Sequence, residues 1–140
     1  MIFVVNSKKI TTNNDSIDQA ESKLNINYPK EIREMLKNKN GFYFGGFRFY
    51  KVLDKEDLQH TFDDVVRENT NSPAGWQQFL PEGYVAIADD EGQGCLALNT
   101  NKDGKVYYWN NDIGEITIYA ENGQDFETKI KEDGSNLRKL

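Results

Sequence analysis

The sequence predicts an α+β domain, a mainly antiparallel sheet of about five to six strands packed with about three to four helices. Three observations predict it. Helical spacing dominates the chain before Gly41, and four short runs rich in β-formers fill the second half. Polar or glycine-containing turns of about four to seven residues separate those runs. No crossover helix lies between them, and a parallel sheet would require one.

Taken in order, Ile2-Phe3-Val4-Val5 reads as a short strand, and residues 1–14 as an added edge strand or a tail. Asp15 and Ser16 precede Ile17, Ala20 and Leu24, which share one helical face, and Gln19 is placed for a capping box with Ser16. Tyr28-Pro29 opens a second helix with Pro29 at its first position. Glu31 suits the N-terminal dipole, Ile32 and Leu36 point inward, Lys37 and Lys39 lie in the last turn and Gly41 stops it. Phe42, Phe44, Phe47, Phe49 and Val52 then alternate around Gly45-Gly46, the pattern of two strands meeting at a tight turn. From Lys55 to Arg67 one helix is expected, with Leu58, Phe62, Val65 and Val66 on its buried side, and a loop follows from Asn69 to Pro73. Tyr84 to Ala88, Cys95 to Leu98, Val106 to Trp109 and Glu115 to Tyr119 form an antiparallel meander, and Phe126 with Ile130 marks a short closing helix.

Composition narrows the function. The chain of 140 residues holds 17 basic and 23 acidic residues, a net charge of −6, and reads as a single domain over 1–140. Leu, Ile, Val and Phe make up about a quarter of it, enough for a packed core. Cys95 is the only cysteine, so no internal disulfide forms. No apolar run is long enough to span a bilayer and no signal-peptide core is present, so a cytoplasmic protein is expected. The acidic balance argues against a duplex nucleic-acid partner, whose phosphates call for Lys and Arg.

Few residues suggest chemistry. His60 with Asp63 and Asp64 could share a helical face, but a zinc site needs more nitrogen or sulfur ligands, and a solvated face is the better reading. A Cys95–His60 nucleophilic pair has no supporting local signature. Residues 99–104, Asn-Thr-Asn-Lys-Asp-Gly, mimic the first half of a calcium loop. The twelfth position is Asn110 instead of a bidentate glutamate, so Asp103-Gly104 reads as a hairpin turn with positive φ at both residues. Gly92 and Gly94 lie between strands with no helix start behind them, which makes a turn and not a phosphate cradle. Asp89, Asp90 and Glu91 form the densest acidic run, and Trp76 and Trp109 are the largest anchors. Strand alternation puts Tyr107 and Trp109 on one face, with Val106 and Tyr108 on the other.

Glu21, Leu24, Tyr28-Pro29, Leu36 and Asn40-Gly41, then Gly83-Tyr84, Ile87, Asp89, Gly92, Gly94, Leu98, Val106, Trp109 and Phe126, resemble the SUKH superfamily over residues 15–131. That family includes the fungal cell-wall-assembly regulator and many bacterial immunity proteins. The chain departs from the pattern where Tyr-Pro replaces Leu-Pro, and where Asn40-Gly41-Phe42 replaces Asn-Gly-Gly with Gly45-Gly46 displaced onward. The resemblance implies a non-enzymatic domain with no cofactor or metal, whose bacterial relatives bind and neutralise a polymorphic toxin, often a nuclease. The expected partner is then a basic cognate toxin, met by Asp89, Asp90, Glu91 and Asp112 with Trp109 or Trp76 as apolar anchors. The competing expectation is a regulatory scaffold of the fungal type with no toxin partner. A metal-dependent enzyme on Asp89, Asp90, Glu91 and His60 is the third reading.

Overall fold

In the computed structural model, which describes residues 11–70 and 75–139, six antiparallel strands follow one another across a single sheet in chain order, β1 to β6. They are β1 (Phe42–Phe44), β2 (Phe47–Phe49), β3 (Tyr84–Asp89), β4 (Gly94–Asn99), β5 (Val106–Asn110) and β6 (Glu115–Ala120). The predicted α+β class and meander are both present. The segment Ile2-Phe3-Val4-Val5 lies outside the described residues.

Helix α1 (Asn14–Leu24) begins earlier than its apolar spacing suggests, because Asn13 accepts a hydrogen bond from Ser16 N at 2.9 Å and caps it. Ser16 is therefore inside the helix and buried, and the expected capping box with Gln19 does not form. Helix α2 (Lys30–Asn38) starts one residue later than expected, with Pro29 as its cap, and buries Ile32 and Leu36. Arg33 joins the two helices through Glu21 at 2.9 Å and Asp18 at 3.0 Å.

The single helix expected over residues 55–67 is broken. A 3-10 turn (Lys55–Asp57) leads into α3 (Leu58–Thr61), and after a bend α4 (Val65–Thr70) begins. The cause is non-local. Asp64 forms an isolated parallel bridge with Lys51, and Val65 N donates to Lys51 O at 2.7 Å, so the backbone leaves the helix to meet an extended segment. Leu58 and Phe62 consequently face solvent, 55% and 61% exposed, where the helical reading buried them. Asn69 and Thr70, expected to open a loop, complete α4 instead, and the rest of that expected loop, residues 71–73, lies outside the described residues.

Two buried asparagines replace missing strand neighbours. Asn40 donates to Val52 O at 2.9 Å and accepts from Val52 N at 2.8 Å. Asn69 does the same to Ala86, donating to its O at 2.8 Å and accepting from its N at 2.8 Å. A side-chain amide has the donor and acceptor of a peptide group, so both satisfy backbone that would otherwise be buried unpaired.

Helix α5 (Gly123–Lys139) is longer than the short closing helix expected, and it packs Phe126 and Ile130, both fully buried, on one sheet face. Phe126 meets Phe49 and Tyr119 with ring centroids 5.9 and 6.2 Å apart. At the turn of the first hairpin Gly45 and Gly46 both take positive φ, 62° and 86°, as a two-residue turn matched to strand twist requires.

Candidate functional site

Strand register lays two rows of side chains across the sheet, one on each face. Phe49, Ala88, Leu96, Tyr108 and Thr117 lie opposite one another in succession on the face that carries α5. Arg48, Asp89, Cys95, Trp109 and Ile116 form the neighbouring row, and alternation puts it on the other face. Tyr107 shares that second face with Trp109, as expected, and packs edge-on against Tyr84 at 5.1 Å.

Beside this row, at one end of the sheet, two turns hold each other. Asn111 N donates to Gln93 O at 2.8 Å, and Gln93 Nε2 donates to Asp112 Oδ2 at 3.1 Å. This link brings the β3–β4 turn, with Asp90 and Glu91, beside the β5–β6 turn, with Asp112 and Ile113. Residues far apart in sequence thus share one end of the sheet.

The acidic residues there differ in what they are free to do. Asp89 is 8% exposed, and its carboxylate accepts from Arg48 at 2.8 Å, the Tyr50 hydroxyl at 2.6 Å and Glu91 N at 3.0 Å. Trp76 Nε1 donates to the same Tyr50 oxygen at 2.7 Å, which ties Trp76 into this cluster. Burial, then the hydrogen bond and charge of Asp89, push the Tyr50 phenol far above its usual range. Burial pulls the Arg48 guanidinium down, but the Asp89 bond and charge outweigh it and the net shift is upward. Asp89 is thus committed inside the protein.

Asp90 is committed too. Its Oδ1 accepts from Gln93 N at 3.0 Å and Gly94 N at 2.8 Å, and its Oδ2 accepts from the Tyr108 hydroxyl at 2.7 Å. Tyr108 reaches it by crossing Gly94, where any Cβ would collide with the Tyr108 ring. Glu91 stands exposed at the tip with φ 66°, and Asp112 is exposed beside it.

Trp109 is 8% exposed, lies opposite Cys95, and donates through Nε1 to Asn111 Oδ1 at 3.2 Å. The exposed apolar residue at this end is instead Ile113, 63% exposed in the β5–β6 turn. Sequence reasoning passed over it, although a large aliphatic residue within Asn-Asn-Asp-Ile-Gly is itself unusual. It also missed Arg48 and Tyr50, which occupy Asp89 from some 40 positions away.

The remaining motifs resolve structurally. His60 Nδ1 lies 2.7 Å from Asp57 Oδ1, and the helix ends before Asp63 and Asp64 can join its face. Asp63 lies 3.6 Å from Lys51, while Asp64 accepts from Arg67 N at 3.2 Å and starts α4. Asp103 is engaged by Lys105 N at 3.0 Å, by Asn99 Nδ2 at 2.9 Å and by the Tyr107 hydroxyl. In that turn positive φ falls on Lys102 and Gly104, not on Asp103. Cys95 is buried, and burial followed by the Asp89 and Asp90 charges pushes its thiol well up, against formation of the thiolate. Among the described residues no group of three or more His, Cys, Asp or Glu is placed to hold a metal ion, and no helix is long and apolar enough to cross a membrane.

Comparison with known proteins places this arrangement. The model of the SMI1 / KNR4 family (SUKH-1) matches residues 11–129, the helices, the whole sheet and the first turns of α5. No curated protein matches the chain.

Proposed function

The chain belongs to the SMI1 / KNR4 family (SUKH-1), which fits an immunity or regulatory domain, and on that footing we propose that it is a non-enzymatic bacterial immunity protein. It binds a cognate basic toxin of the nuclease class and neutralises it by covering the active-site cleft. The observation that carries this reading is the paired turns, where the exposed carboxylates of Glu91 and Asp112 flank the exposed Ile113. An apolar centre with an acidic rim suits a cleft built to grip phosphates. The net charge of −6 adds long-range attraction to a basic partner.

Because Asp89 and Asp90 are held by buried or backbone hydrogen bonds, the informative variant changes the exposed carboxylates instead, of which Asp112 accepts only the surface bond from Gln93. Glu91→Lys with Asp112→Lys is expected to leave the melting temperature close to that of the parent and to weaken toxin capture roughly tenfold or more, chiefly by slowing association. Affinity capture from the producing cell, washed at low and high salt, checks this. A single basic toxin recovered by the parent and lost by the variant supports the reading. Recovery of wall-synthesis proteins by both would support the regulatory scaffold instead.

A further inference from the structure

On the α5 side of the sheet a groove of about 490 Å3 runs beside β6. Its floor is aromatic. The Phe47 ring meets Tyr108 and Tyr119 edge-on, with centroids 6.2 and 5.9 Å away. Asp90, Glu132, Asp133 and Lys129 form the rim. The Tyr108 hydroxyl donates to Asp90 at 2.7 Å and the Tyr119 hydroxyl donates to Asp133, so each tyrosine aims a carboxylate without neutralising it. Lys129 already faces Asp125 at 3.6 Å. The rim is therefore net negative over tyrosine faces, an environment that favours a cation.

The second feature is backbone. Among the described residues β6 is the last strand and pairs only with β5. Its sequence, EITIYA, has neither Lys nor Pro to blunt the edge, and Glu115, Thr117 and Ile118 are exposed. A strand added there sets every second side chain over the groove, about 7 Å apart.

We propose that the β6 edge and its groove take an extended basic segment of a partner protein as an added strand, seating a Lys or Arg side chain over Tyr108 and Tyr119 beside Glu132 and Asp133. This rests on the protein-binding reading above and adds to it a mode of recognition. A second copy of the chain is the poorer occupant, because its own β6 brings no cation to the groove and both copies carry −6.

The test is a fluorescence-anisotropy titration of the full chain with a short labelled peptide in which lysine alternates with valine. Two controls accompany it, one with glutamate for lysine and one N-methylated on alternate amides. Saturable binding of the lysine peptide is expected, weakened roughly tenfold or more by either control. Glu132→Lys, an exposed change that leaves the Tyr119 bond intact, is expected to weaken it several-fold, and Glu132→Lys with Asp133→Lys further. Equal binding of the N-methylated peptide would reduce the effect to charge alone and overturn strand addition. No saturable binding, or sedimentation of the chain as a dimer whose β6 edges pair with each other, would overturn it too. If toxin capture still depends on Glu91 and Asp112 while the peptide fails, this inference falls and the immunity reading stands.

Discussion

The two hairpins at the margins of the sheet share a motif and differ in what lies over their turns. In the first, a Cβ on Gly45 would fall 2.6 Å from Ile130 Cγ1 and 2.8 Å from Ile130 O, so α5 closes directly over the loop. In the last, a Cβ on Gly114 would meet nothing within 4 Å, and Ile113 beside it is exposed. Both glycines have φ above zero, 62° and 66°. The same local geometry is thus a packing requirement at one margin and only a backbone requirement at the other. At the first turn the apolar side chain is Ile130 of α5, buried over the glycines, whereas at the second it is Ile113 of the turn itself, which faces solvent.

Substitution at the closed turn has the largest expected effect. Gly45→Ala combines left-handed strain of about 1–2 kcal/mol with displacement of Ile130 and its backbone, for a loss of roughly 2–5 kcal/mol in thermal or denaturant unfolding. Gly114→Ala carries the strain alone and is expected to lose about 1–2 kcal/mol. Equal losses at the two positions would break the comparison, because they would mean that α5 does not hold the first turn. Smallest in stability is Ile113→Ser, expected to lie within about 0.5 kcal/mol of the parent in the same melt. On the proposed immunity function it should nonetheless reduce toxin capture, and a variant that retained full capture would remove Ile113 from the proposed interface.

Strand positions were legible because β-branched and aromatic runs between polar turns report a half-buried pleated surface, and the turn glycines mark where the runs reverse. The break between α3 and α4 was not legible. The spacing of Leu58, Phe62 and Val65 is helical throughout, and only the bridge from Asp64 to Lys51 interrupts it. The candidate site was half legible for a similar reason. The sequence brought Asp89, Asp90, Glu91, Trp109 and Asp112 to notice, and register places them at one end of the sheet. It could not tell the committed carboxylates from the exposed ones, since Arg48, Tyr50 and Tyr108 reach Asp89 and Asp90 only through the fold.

Sheet order that equals chain order has a kinetic consequence. Each pair from β3 to β6 closes through a short turn, so these strands can zip together in sequence at a small loss of chain entropy per step. The long closure is β2 to β3, where Phe49 must find Ala88 across the intervening helices. Asn69 comes from that intervening segment and seals Ala86 beside the same junction. The pairing with the largest closure entropy is then β2 with β3, and the folding rate in stopped-flow refolding is expected to respond to changes at Phe49 and Asn69 more than to changes in the β5–β6 turn.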